Sequence, residues 1–250
     1  MRPTLAAASE GQGAAQRRES GAATVLLFST LATRKALEDE LLDAFTAATG
    51  FGVDVVFDPT TELARRLESG ERPDVIIAVT SALHTLAETG LVESGSIVPL
   101  TRTKVGVAVA KGAARPDLSS AESFVQAMVQ ARSVAYSQTG ASGIYLRAVL
   151  GELGVLDQVN ERATVLERGF TATALIDGRA DIAVQQLSEL AFVADVDIVG
   201  PLPDTLECVT EFSGALPAGA EPTAASVALL RFLTAEGARA PYERSGLEAV

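Results

Sequence analysis

From Val25 onward, short apolar runs alternate with segments of helical period, and this alternation restricts the fold more than any other feature. VLLF at 25–28, VDVVF at 53–57, VIIAV at 75–79 and VGVAVA at 105–110 read as buried strands. Between the first two, Leu37, Leu41, Ala44, Phe45 and Ala48 share one helical face, and Gly50 ends it. Leu63, Ala64 and Leu67 mark a second helix, and a third follows Ser81 and stops at Gly90. Strands separated by helices predict parallel pairing with crossover helices, an α/β fold. Further on, Ser119 and Glu122 predict a capping box ahead of Phe124, Val125, Met128 and Val129. A helix carrying Leu146, Val149, Leu150 and Leu153 stops at Gly154, and ATVL and DIAV read as strands. A late strand is expected at 206–213, and helices around 224–233 and 236–245 close the chain.

The strand ends carry the chemistry. Ser29 and Thr30 follow VLLF, and Thr60 and Thr61 follow VDVVF. In SVAYSQTGASGIYL, 133–146, a strand runs into small and hydroxylated residues that open a helix near Ser142 and Gly143. Backbone N–H groups at such a junction point at one spot, where the helix dipole adds roughly half a positive charge. That spot suits an anion or a carboxylate. Ser and Thr there also serve as plain helix caps. Repetition at several strand ends predicts one shared anion pocket.

Composition removes several alternatives. The chain has 250 residues, enough for one large domain or two lobes. A net charge of -12 argues against nucleic acid, which needs clustered Lys and Arg. It leaves anion binding to local dipoles and placed cations, since screening limits long-range repulsion to about 8 Å. Cys208 is the only cysteine and His84 the only histidine, so a disulfide and a Cys/His zinc site are both excluded. His84 lies one turn from Glu88 and reads as a surface residue. No EF-hand, P-loop, G-x-S-x-G or post-strand G-x-G-x-x-G spacing is present, and neither metal nor cofactor is expected. No run approaches the ~18 apolar residues of a membrane span. Residues 1–23 read as a disordered leader, because the apolar run Leu5 to Ala8 falls short of the about 7–15 residues of a secretory core. A cytoplasmic location is therefore expected.

The segments FSTLATRKALEDELLDAFTAATG, PLTRTKVGVAVAKGAARPDLSS, RSVAYSQTGASGIYLRAVLGELGV and GRADIAVQQLSEL resemble the molybdate-binding family of periplasmic substrate-binding proteins. The likeness runs from about 25 to 246 and is to a divergent branch that includes aconitate isomerases. It implies a two-lobed periplasmic-binding-protein-like fold of type II, with two hinge strands at 104–110 and 206–213. Lobe one would take 24–103 plus 206–250 and lobe two 104–205, with the ligand in the cleft between them. The binding positions it implies are Ser29 and Thr30 (with Ala32 close by), Thr60, Thr61, Ala141, Ser142, Gly143, Arg168, Gly169, Phe170 and Gln186. Gln186 stands where molybdate binders usually carry tyrosine. Arg102 and Arg168 are candidate bidentate clamps for a carboxylate.

Two functions stay open at this point. One is a binder of a small oxyanion or carboxylate, with a membrane ABC permease as partner only if the chain is exported. The other is a cytoplasmic isomerase that shifts a proton across the allylic system of an unsaturated polycarboxylate. Its general base would be Glu189, Glu62, Lys104 or Tyr145.

Overall fold

The computed structural model describes residues 23–250, so nearly all of the expected leader lies outside the described residues. The apolar runs form strands because β-branched residues pack well on a pleated, buried surface. Strand β1 (Thr24–Ser29) pairs in parallel with β2 (Gly52–Phe57) on one side and β3 (Val75–Val79) on the other. Helix α1 spans 34–49, with a π turn at Leu37–Leu41. Its apolar face buries Leu37, Leu41 and Phe45, each worth about 1.5–3 kcal/mol of stabilisation. It ends at Gly50, whose φ of 75° a side chain would disfavour. Helix α3 (Thr80–Glu88) begins directly after β3, and α2 (Thr60–Glu68) follows β2 after only Asp58 and Pro59.

The centre of the molecule is β4, Val98–Ala110. It begins earlier than VGVAVA because residues 98–104 pair antiparallel with β9 (Val209–Ala215). Its second part, 105–110, pairs with β7 (Ile182–Gln186) and β8 (Val196–Pro201). Strand β5 (Val134–Ser137) then pairs in parallel with β7 and with β6 (Thr164–Leu166). The resulting strand order, β2-β1-β3-β9-β4-β7-β5-β6, passes through both halves of the two-lobed fold. Separate apolar clusters fill each half, around Leu27, Phe45 and Ile77 in the first and around Val107, Phe124 and Leu146 in the second. Gly106 sits at the change of partners. A Cβ there would lie 2.2 Å from Leu187 Cδ2 and 2.8 Å from the Gly200 carbonyl oxygen, so only glycine fits.

Two local expectations are corrected, and one short strand is added. The second crossing is not the strand at 206–213, because β9 lies wholly in the first half, held by β3 and β4. The chain passes between halves at 202–208 instead. There the Leu202 N–H donates to the Val105 carbonyl, and the Val105 N–H donates to the Cys208 carbonyl. The helix at Ala121–Gln130 (α4) is capped by Ser120, whose extended backbone lets its Oγ accept from the Ser123 N–H at 3.1 Å. Finally, Glu248–Ala249 form a short strand, β10, on Thr101 and Arg102 of β4. Among the described residues, no helix is long and apolar enough to cross a membrane.

Candidate functional site

Strand ends from both halves meet at one buried cavity of ≈ 20 Å³, room for about one water molecule. Thr30, Thr60, Ser137, Gln185, Gln186 and Glu189 supply its polar wall. Leu31 and Phe212 add apolar surface. Two larger grooves, at Leu118–Glu122 with Val199–Thr205 and around Arg115 and Arg132, share no residue with it. No Lys or Arg lines the cavity among the described residues. Any anionic charge inside would be met by dipoles and neutral donors.

Each wall residue is held from behind. The Thr30 N–H donates to the Ile77 carbonyl at 3.0 Å, anchoring the end of β1 to β3. Ser29 turns inward to Thr33, with the two hydroxyl oxygens 2.7 Å apart, and is absent from the lining. Thr60 Oγ1 accepts from the Val79 N–H at 3.2 Å, tying the start of α2 to the end of β3. On the other side, Ser137 Oγ accepts from the Gly140 N–H at 2.9 Å. That bond sets up α5, Ala141–Glu152, whose N-cap Gly140 has no side chain to satisfy the first turn. The Ala141 and Ser142 N–H groups have no protein acceptor, while those of Gly143 and Ile144 are taken by the Gly140 carbonyl. The positive end of a three-turn helix therefore opens beside the cavity.

Gly143 has a packing role. A Cβ there would lie 1.7 Å from the Ser137 carbonyl oxygen, so glycine lets helix and strand touch. Its expected part as a ligand donor gives way to that contact, because its N–H is already bonded within the turn.

Gln186 closes the far wall. Its Nε2 donates to Thr210 Oγ1 at 2.7 Å, and its Oε1 is buried with no partner. Such an orphan costs about 1–3 kcal/mol until something satisfies it. A threonine hydroxyl can donate as well as accept, so the amide can sit either way round against Thr210. In both orientations one polar atom of Gln186 is left for a ligand. Glu189 lies beside it, and burial pushes its carboxyl up to about 8. Hydrogen bonding from the Gln186 backbone and the Gln185 side chain offsets only part of that rise. At neutral pH Glu189 therefore mostly keeps its proton and can donate it to an acceptor.

The remaining candidates lie elsewhere. Thr61 is at the rim, its Oγ1 donating to the Thr139 carbonyl of the other half at 3.0 Å. Arg168 is exposed and pairs across the halves with Glu62 at 2.9 Å and Asp58 at 3.6 Å. Glu62 is held down to about 2, foremost by the Arg65 guanidinium, and so is unsuited to act as a base near neutral pH. Arg102 forms an exposed ion pair with Glu248 at 2.9 Å, and the expected clamp is instead a surface contact of β10. Lys104 is paired with Glu207, which raises its pKa and keeps it charged, also unsuited to a base. The Tyr145 hydroxyl donates to the Leu206 carbonyl at 3.2 Å and is pushed up by burial, so it packs the second half. The Gly169 carbonyl accepts from Gln185 Nε2 at 3.1 Å. Phe170 stacks on Phe192 with ring centroids 4.3 Å apart. Of the four candidate bases, only Glu189 faces the cavity. Ser137, Gln185 and Thr210 were not foreseen, although Ser137 stands inside the hydroxyl-rich motif.

A family model described as bacterial extracellular solute-binding protein matches residues 25–248. An aconitate isomerase from a Pseudomonas species is 35% identical over 217 residues, covering 84% of this chain and 82% of that protein. The periplasmic molybdate-binding protein of Azotobacter vinelandii superposes with a TM-score of 0.72 at 20% identity, over 89% of this chain and 98% of its own. The sulfate-binding protein SubI of Mycobacterium tuberculosis gives 0.69 at 17% identity, over 91% and 87%. At those identities the two solved structures speak to the fold alone.

Proposed function

This chain belongs to the bacterial extracellular solute-binding protein family, and from that premise we propose that it binds a small carboxylate or oxyanion between its two halves. The observation that carries the reading is the convergence on one buried cavity of Thr30, Thr60, Ser137, the free N–H groups of α5 and the half-satisfied Gln186. The moving bodies would be 24–103 with 206–250, and 104–205. Opening must enlarge the cavity, which when shut this tightly takes only about one water, before it admits the anion. Closing strips its water and replaces it with hydroxyls, amide N–H groups and the proton of Glu189. The names of the molybdate- and sulfate-binding neighbours and of the aconitate isomerase agree with an anionic ligand. The cytoplasmic location is part of the proposal, and cell fractionation decides it. An ABC permease enters only if the chain is exported.

One observation favours a second reading, an isomerase of an unsaturated polycarboxylate. Glu189 is a buried carboxyl on the cavity wall that exchanges its proton near pH 8. In its ionised form it would take a proton from a carbon next to a ligand carboxylate, breaking C–H and forming O–H. The double bond would then shift by one position, and the same proton would return to the far carbon.

A thermal-shift panel of molybdate, tungstate, sulfate, phosphate, citrate, cis-aconitate and trans-aconitate tests binding. A ligand at 100 times its Kd adds about 2.7 kcal/mol of stability. No shift with any member would end the binding proposal. Proton NMR of trans-aconitate incubated with the protein then separates binder from isomerase.

A further inference from the structure

We propose that Arg34 is the positioning residue that holds the two halves shut over the cavity. Arg34 opens α1, three residues after Leu31 on the cavity wall. Its guanidinium carbon lies 5.1 Å from the Phe57 ring centroid, 5.0 Å from Phe192 and 5.9 Å from Phe170. Phe57 ends β2 in the first half. Phe170 and Phe192 belong to the second half, stacked nearly parallel at 16°. One cation of the first half thus sits among aromatic faces drawn from both. Glu38, one turn on, accepts from Arg34 Nε at 3.0 Å and fixes the side chain from its own helix.

Opening the cleft would pull the guanidinium from Phe170 and Phe192 and expose a ring pair that is now largely covered. The penalty falls on the open state alone, so the contact biases the equilibrium toward closure. The exposed Arg168 pairs differ, since salt screens them. A cation stacked on rings is screened less. Two consequences follow, whichever anion fills the cavity. A share of molecules is closed with no ligand present, and a bound ligand leaves only as fast as the cage lets go.

The test reads closure directly. Spin labels on Glu68→Cys and Glu161→Cys, exposed positions in the two halves, are placed in a Cys208→Ser full-length background. Electron–electron distances are then measured without added anion. Arg34→Gln and Phe192→Leu should each raise the ratio of long to short distances, by about tenfold. The double variant should raise it no further than the larger single. Arg34→Lys should fall between parent and Arg34→Gln, and about 1 M NaCl should not reproduce the effect. An unchanged distribution in Arg34→Gln, or single effects that multiply in the double variant, would overturn the proposal. If Phe192→Leu fails to fold, the series Arg34, Lys, Gln decides alone. Failure of every anion in the thermal panel would leave this measurement standing, so the two ideas fall separately.

Discussion

The Arg168 guanidinium lies 2.9 Å from the Glu62 carboxylate, a bond formed between the second half of the molecule and the first. Arg65 holds the same carboxylate from within α2, at 2.6 Å. Glu62 is therefore shared, and losing Arg168 leaves it paired. Arg168→Ala should weaken binding of the best anion by less than about threefold, and the difference should vanish near 0.5 M salt. Calorimetric titration at two salt concentrations checks this. The folded pKa of Glu62 is depressed from 4.5, so its contribution to stability is full above about 4.5 and is lost progressively as pH falls from there through about 2, while the folded carboxylate itself stays ionised down to about 2. A loss of binding between about pH 3 and 5 would have another origin.

Glu189 works in the opposite direction. Its folded pKa is raised from 4.5 to about 8, so the folded protein holds a proton that the unfolded chain releases. Its contribution to stability falls as pH rises from about 4.5 to about 8, and flattens above. Glu189→Gln should raise the Tm at pH 8, by an amount corresponding to roughly 4 kcal/mol, and leave it nearly unchanged at pH 4. Affinity for an anion should drop as pH passes about 8 in the parent and stay level in the variant. Thermal unfolding and titration across pH read both.

Gln186 is the wall residue whose polar group waits for a partner. Gln186→Leu should weaken anion binding by about tenfold, the worth of a hydrogen bond to a charged group. Without ligand, stability should change by less than about 1 kcal/mol, because removing the orphaned oxygen offsets the loss of the bond to Thr210 Oγ1. Equal Kd values in parent and variant would exclude Gln186 from the contact.

Gly143→Ala should cost about 3 kcal/mol or more in chemical denaturation, because its Cβ would meet the Ser137 backbone. The loss should appear with or without anion, which separates packing from recognition.

Arg102→Ala should leave both affinity and Tm within error of the parent. Its ion pair with Glu248 is half exposed on each side and lies outside the cavity. A large loss of carboxylate affinity would restore the clamp first expected of it.

The strand–helix alternation was legible because buried parallel strands and amphipathic helices leave periods that a single sequence displays. The hydroxyls after VLLF and VDVVF were legible for the same reason, since each sits at a fixed place relative to its strand. Sorting the four candidate bases was not. Glu62 and Glu189 look alike in the chain, each just inside a helix, and only their partners drive one down and the other up. Nor could Arg34 be singled out, because Phe170 and Phe192 come from remote segments that the topology alone brings to it. The pairing of β10 escaped because two residues carry no period.

Strand β4 gives its first residues to one half and its last to the other, with no break between. Neither body can shed its central strand without unravelling the ladder of its neighbour. Heating should therefore dismantle the molecule in a single cooperative step, with calorimetric and van't Hoff enthalpies in agreement, although its outline is that of two bodies.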